Sequence, residues 1–192
     1  MRLSADDVFD IDVPPHLRGY ELENGRLVEV TLVTFTHGVV AAELSARIRE
    51  HLLEHEVRGW VSVEAGYVLR LPRDPERLRG PDVSFVSEAN LRAHGGAPRR
   101  GWLRLVPELV VEVDSPGREP RIERERIRNY LDVGVRLLWI VHTASRTATV
   151  YRPDAPALEL RAGDALDGGD VLPGLSVPLA ELFSRIPPEA GD

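Results

Sequence analysis

The stretch Pro107-Glu108-Leu109-Val110-Val111-Glu112-Val113-Asp114-Ser115-Pro116 limits most severely what this chain can become. It is a short apolar run between prolines, the pattern of a buried strand, yet Glu112 and Asp114 stand at its far end. Alternate residues of a strand share a face. Glu112 and Asp114 therefore project together, and Val111 and Val113 point the other way. Two neighbouring carboxylates are costly to bury unless a cation or a proton compensates them. A second acidic position lies upstream in Arg79-Gly80-Pro81-Asp82-Val83-Ser84-Phe85-Val86, where Asp82 opens another apolar strand after a Gly-Pro break. An acid at one strand's start and another near the end of a neighbouring strand can present oxygen ligands to one hard divalent cation.

A length of 192 residues suits one domain with a proper core. It is expected to span residues 1–186, with 187–192 as a frayed tail. Apolar residues at 43% and charged ones at 29% describe an ordinary globular protein. The absence of cysteine excludes disulfide and thiolate chemistry and fits a reducing compartment. The acidic first twelve residues lack the apolar core of a secretory signal, and no run approaches the roughly 20 apolar residues that span a bilayer. A cytoplasmic protein without a membrane partner is expected. A net charge of −7 argues against indiscriminate coating of nucleic acid but leaves room for a local basic patch. Every basic residue other than histidine is arginine.

In chain order, residues 1–18 read as an irregular lead-in with Pro14-Pro15. Tyr20 to Val30 reads as a hairpin turning at Asn24-Gly25. Residues 37–57 read as a helix with Val40, Leu44, Ile48 and Leu52 on one stripe. Trp60 to Leu71 alternates and predicts one strand, followed by a Pro- and Arg-rich loop and then the Asp82 strand. Residues 88–105 predict a helical turn and a loop carrying Arg92, His94, Arg99, Arg100, Trp102 and Arg104. The Glu112 strand stops at Ser115-Pro116-Gly117. Pro120 opens a helix over 120–133 that Gly134 closes. Val135 to Val141 predicts a central strand, Thr147–Tyr151 a strand alternating with it, and 157–161 a further short one. Residues 164–174 are turn-rich, and 178–186 predict a terminal helix. This order predicts an α/β fold, a mixed sheet flanked by helices with an N-terminal hairpin.

On a wheel of about 100° per residue, Ile122, Ile127, Tyr130, Leu131 and Val133 share one face of the 120–133 helix. Arg124, Glu125, Arg128, Asn129 and Asp132 share the other. Glu123 and Arg126 fall within the apolar face. A guanidinium there must reach solvent or meet an acid. The helix directly follows the Glu112 strand, so Arg126 is expected to aim at Glu112 or Asp82.

Together these residues resemble the Uma-two family, endonucleases of the restriction-endonuclease-like PD-(D/E)XK superfamily. The resemblance runs through Tyr20-Glu21-Leu22, Asn24-Gly25, His37, Pro81-Asp82-Val83-Ser84-Phe85-Val86, Val111-Glu112-Val113, Ser115-Pro116, Tyr130, Gly134-Val135 and Trp139-Ile140-Val141, from about Gly19 to Phe183. It implies a restriction-endonuclease-like core, an acidic Mg²⁺ site (Mn²⁺ serving as well), and hydrolysis of DNA phosphodiesters. Carried over, the catalytic set is Glu21, Asp82, Glu112 and Arg126, with Asp82 and Glu112 as metal ligands; Asp114, on the Glu112 face, is a further candidate metal ligand. The sequence departs from the family pattern at three places. Arg126 stands where most members carry a lysine, Asp114 where the superfamily lysine often sits, and His142 where an acid is common. Two-fold symmetry suits a nuclease that cuts both strands, which makes a homodimer a candidate assembly.

Structural readings stand beside these. Asp82 could cap a turn, Glu112 could pair with Arg126 in a structural ion pair, Glu21 could be a solvated hairpin acid, and His37 could be a packed helix-start residue. The arginines near Trp102 could contact a phosphate backbone or line a solvated loop. His51-Leu52-Leu53-Glu54-His55 matches the H-x-x-E-H pattern of inverted zinc peptidases, but both histidines border the packing stripe and no third ligand accompanies them. A family member that keeps the fold as a DNA-binding or protein-interaction module is the alternative to an enzyme.

Overall fold

The computed structural model describes residues 2–10, 19–29, 32–114 and 120–187. Expectations for Pro14-Pro15, for the stop at Ser115-Pro116-Gly117 and for the tail from 188 onward lie outside the described residues. The central layer is a six-stranded sheet in the order β10-β9-β8-β7-β6-β3. Its strands are β3 (Gly59–Val63), β6 (Val83–Ser87), β7 (Leu109–Asp114), β8 (Leu137–His142), β9 (Thr147–Tyr151) and β10 (Leu158–Leu160). β7 and β8 run parallel, and the remaining pairs are antiparallel. A parallel pair needs a crossover, and α4 (Pro120–Asp132) lies in the connection between β7 and β8. The mixed sheet flanked by helices is thus present as expected.

Strand alternation decides which layer covers which face. Leu109, Val111 and Val113 of β7 point into one core with Leu137, Trp139 and Val141 of β8. That core is covered by α2 (Phe35–Glu54) through Val40, Leu44, Ile48 and Leu52. Each such fully buried aliphatic side chain contributes on the order of 1.5–3 kcal/mol, enough in sum to fix the helix on the sheet. Thr34 caps α2 by accepting a hydrogen bond from the His37 amide at 3.2 Å. Val110, Leu138 and Ile140 point to the opposite face, where Tyr130 of α4 and Tyr67 and Leu69 of a second sheet pack.

That second sheet has the order β2-β1-β5-β4, built from β1 (Tyr20–Glu23), β2 (Arg26–Glu29), β4 (Tyr67–Leu71) and β5 (Asp74–Arg79). The hairpin is as expected, with Asn24 at φ 51° and Gly25 at φ 71°, the positive values a two-residue turn demands. Two sequence expectations fail here. Trp60 to Leu71 is two strands in different sheets. The chain turns out of β3 at Glu64, φ 51°, and passes Gly66, where a Cβ would lie 2.3 Å from Trp102 Cε3. The Pro- and Arg-rich loop is in fact β5. Its Arg77 and Arg79 are buried, but Arg77 pairs with Asp74 at 2.6 Å and Arg79 with Glu21 at 2.5 Å. Compensated charge can occupy a strand interior that a hydropathy pattern would leave empty.

The lead-in contains a short helix, α1 (Ala5–Asp10). Ser4 and Asp7 cap it reciprocally: the Ser4 amide donates to Asp7 at 2.7 Å and the Asp7 amide to Ser4 at 3.2 Å. Trp102 docks on this helix, donating Nε1–H to the Ala5 carbonyl at 2.9 Å and meeting Phe9 edge-on at 5.5 Å. Arg104 pairs with Glu76 and Asp6. Neither Trp102 nor Arg104 is therefore a loop group held ready for a phosphate backbone. After the short α3 (Glu88–Ala93) and the main sheet, β11 (Ala165–Asp167) and β12 (Ser176–Pro178) pair across the stretch expected to be turns. The terminal helix is α5 (Leu179–Ser184).

Candidate active site

The seam between the second sheet and the α4 face of the main sheet collects the acids marked in the sequence. Glu21 comes from β1, Glu112 from β7, and Asp82 from the residue just before β6. All three are buried. Val83 pairs with Val111 in antiparallel register, which sets Asp82 opposite Glu112. Arg126 and Tyr130, one helical turn apart on α4, reach down onto this group.

Arg126 forms the centre. Its Nη1 donates to both oxygens of Glu21 at 2.9 Å, and its Nη2 to Glu112 at 2.7 and 3.0 Å. One planar fork thus bridges acids from two sheets, a geometry suited to arginine rather than lysine. Tyr130 donates its hydroxyl to Glu112 Oε1 at 2.7 Å. Glu21 also accepts from Arg79 at 2.5 Å and from the Gly80 amide at 3.2 Å. Asp82 accepts from the Val113 amide at 2.6 Å, and its other oxygen lies 3.1 Å from His37 Nε2. His37 is therefore both packed and directed at the acidic group.

The electrostatics follow from burial set against this pairing. Burial would raise the Glu21 carboxyl, but Arg126, Arg79 and the Gly80 amide outweigh it and hold the group below its ordinary value. Burial pushes Glu112 upward; Arg126 pulls it back and Asp82 pushes it further up. Burial opposes the charge on Arg126, yet Glu112, Tyr130 and Glu21 hold its pKa well above the ordinary value. Burial, then the Glu112 charge, raises the Tyr130 phenol strongly, keeping it a hydrogen-bond donor.

Asp114 shares the Glu112 face, as alternation requires, but sits at its half-exposed rim. His142, its partner in the parallel register, places Nδ1 3.6 Å from Asp114 Oδ2. Asp114 is thus set apart from the Arg126 fork. A cavity of about 10 Å³ remains among Glu112, Asp114, Glu123, Arg126, Ile127 and Ile140, room for roughly one water. Among the described residues no three His, Asp or Glu side chains converge as a metal shell. The donor chemistry nevertheless fits a divalent cation. Carboxylates, hard oxygen donors, stand on neighbouring strands at opposed positions, and Glu112, pushed up by burial and by Asp82, lies where further positive charge would be favourable. Arg126 now supplies that charge.

Two expectations about the surroundings are corrected. Ile122, assigned to the apolar face of α4, is half exposed, and Asn129, assigned to the polar face, is buried. The Arg126 position aims α4 more toward the acids than an apolar wheel alone predicts. Sequence reading missed Arg79, because its segment looked like a loop. It also missed Tyr130 as a donor to Glu112, although the i, i+4 spacing from Arg126 could have signalled it. His51 and His55 stack with ring centroids 4.2 Å apart against the α2 packing face, with no third ligand beside them among the described residues.

The comparisons with known proteins bear on the family and the fold. A family model described as "Uma2: Putative restriction endonuclease" matches residues 7–180. A crystal structure titled as a putative nuclease belonging to DUF820 from Anabaena variabilis superposes with a TM-score of 0.78 at 15% identity, covering 96% of this chain and 99% of that one. At that identity the likeness speaks for the fold. No curated protein matches the chain.

Proposed function

Because the chain belongs to the Uma2 restriction-endonuclease family, we propose that it is a divalent-metal-dependent endonuclease that hydrolyses DNA phosphodiesters at the Glu21–Asp82–Glu112 site. The observation that carries the reading is the bridging of Glu21 and Glu112 by the Arg126 fork. Acids from two sheets and a cation from α4 are brought together where a hydrophobic cluster would be the cheaper structural solution.

Asp82 and Glu112 are the residues to hold Mg²⁺ or Mn²⁺, with Asp114 at the rim. When bound, the ion would acidify and orient water and neutralise phosphate charge. The chain's own groups set the frame. Val113 N–H and His37 hold the Asp82 carboxylate, Tyr130 holds Glu112, and Arg79 with Gly80 N–H holds Glu21. Arg126 brings fixed positive charge for a phosphoryl oxygen but remains protonated at neutral pH, so it cannot serve as a general base.

Incubation of the protein with supercoiled DNA in Mg²⁺, Mn²⁺ or EDTA tests this. Metal-dependent nicking that Glu112→Gln abolishes is expected. Absence of nicking by the wild type in either metal would sink the reading. A second reading, a DNA-binding module without hydrolysis, is favoured by the paired Glu21, Asp82 and Glu112 carboxylates and the cavity of about 10 Å³. DNA binding without nicking would select it.

A further inference from the structure

We propose that the groove beside the acidic site, lined by His142, Arg146 and Arg161, binds a phosphate of the nucleic-acid backbone flanking the reacting phosphodiester. The proposal rests on the nuclease reading for the identity of its ligand. The groove is a concavity of about 510 Å³ formed by the end of β8, the β8–β9 turn, β9 and the end of β10.

Register places it on the same sheet face as the acids. Glu112 pairs with Ile140, Ile140 with Thr149, and Thr149 with Glu159. One row further along, Asp114 pairs with His142, and His142 with Thr147. Directly paired residues share a face, so Thr147, Thr149 and Glu159 continue the polar surface that begins at Glu112 and Asp114. With strands about 4.8 Å apart, Glu112 in β7 and Thr149 in β9 are separated by roughly 10 Å. That is the reach of roughly one or two nucleotides of backbone, because the spacing of about 3.4 Å per charge on one strand is a rise along the helix axis and successive phosphates lie farther apart than that. A backbone with one phosphodiester at the acids would thus carry a later phosphate over the groove.

The lining has the chemistry for such a phosphate. Arg146 and Arg161 are exposed, and neither guanidinium has an acidic partner among the described residues, unlike Arg77, Arg79 and Arg126. Thr147 and Thr149 bring hydroxyls. His142 joins groove to site, with Nδ1 toward Asp114 and Nε2 3.2 Å from Thr149 Oγ1. Glu159 is the opposing acid in the lining, against two arginines and an imidazole. In a chain of net charge −7, phosphate binding needs such a local excess of positive charge.

The test is fluorescence anisotropy with labelled single- and double-stranded DNA, in EDTA and across a salt series, with cleavage of the same oligonucleotides in Mn²⁺ run in parallel. The double variant Arg146→Gln/Arg161→Gln is compared with Arg49→Gln/Arg73→Gln, which removes equal charge from α2 and from the β4–β5 turn. The groove variant should lose about tenfold or more in affinity. Its salt slope should become shallower by about 0.7–0.9, the amount for one phosphate no longer neutralised, while the control keeps the wild-type slope. Equal effects of the two double variants, or none from either, would overturn the groove while leaving any observed cleavage to support the nuclease reading. Arginine-dependent binding without cleavage would uphold the groove and remove the nuclease. A wild type that neither binds nor cleaves would remove both.

Discussion

The substitution Arg126→Ala examines the site most directly. In the wild type, four N–H···O hydrogen bonds of 2.7–3.0 Å join one guanidinium to two buried carboxylates. Removing one member of a buried ion pair costs about 3–5 kcal/mol, because the remaining charge is stranded. For a chain of 150–250 residues each kcal/mol shifts Tm by about 2–4 °C, so a fall of roughly 6–20 °C is expected. If Arg126 occupies the electrostatic role that a divalent cation can fill, the same ion should restore part of the loss. An ion present at a hundredfold excess over its Kd returns about 2.7 kcal/mol. Thermal unfolding of wild type and variant in EDTA, Mg²⁺ or Mn²⁺, at matched ionic strength, reads both effects. The ion should raise the variant's Tm more than that of the wild type. A variant destabilised by less than about 1 kcal/mol would refute the energetic account. A variant that is destabilised but indifferent to divalent ions would refute the exchange of guanidinium for metal.

Two further outcomes follow from pH. Glu21 has a folded pKa below its ordinary value, so its stabilisation is present above that value and is lost as pH falls through the folded pKa. Glu21→Gln should cost about 3 kcal/mol near pH 7 in urea unfolding, and the gap to wild type should narrow toward pH 3; a constant gap would contradict the pairing. His51 is held below its ordinary value by burial, then by the nearby His55, so its contribution is likewise present above about pH 6.5 and lost as pH falls. His51→Leu should flatten the stability curve between pH 7 and 5, and an unchanged curve would show that His51 is not the titrating group.

The elements most legible in the sequence are those whose physics is local. The Asn24-Gly25 turn, the Val40-Leu44-Ile48-Leu52 stripe and the Pro120 and Gly134 bounds of α4 each rest on a backbone or periodicity rule that works within a few residues. The illegible parts depend on distant partners. β5 cannot be read from Asp74–Arg79 alone, because Arg77 and Arg79 enter a sheet only when Asp74, Glu21 and Glu23 meet them there. The break between β3 and β4 depends on Trp102, which packs against Gly66 from far along the chain. Ser4 and Asp7 did carry a local signal for α1, and it lay within a stretch that the prolines made look irregular.

The same division runs through the site. Alternation placed Glu112 and Asp114 on one face, and the helix wheel placed Arg126 among apolar residues, so the meeting of Arg126 with Glu112 was foreseeable. That Arg126 would also hold Glu21 was not, because it requires the second sheet to dock on the α4 face, and that docking rests on Tyr67 and Leu69. A lysine has one ammonium to share between two acids. The arginine fork gives each acid its own nitrogen, and so ties β1 to β7 through α4. Arg126, which stands where the family resemblance leads one to expect a lysine, is thus a clamp between the two sheets. Substitution there must change stability and ion response together.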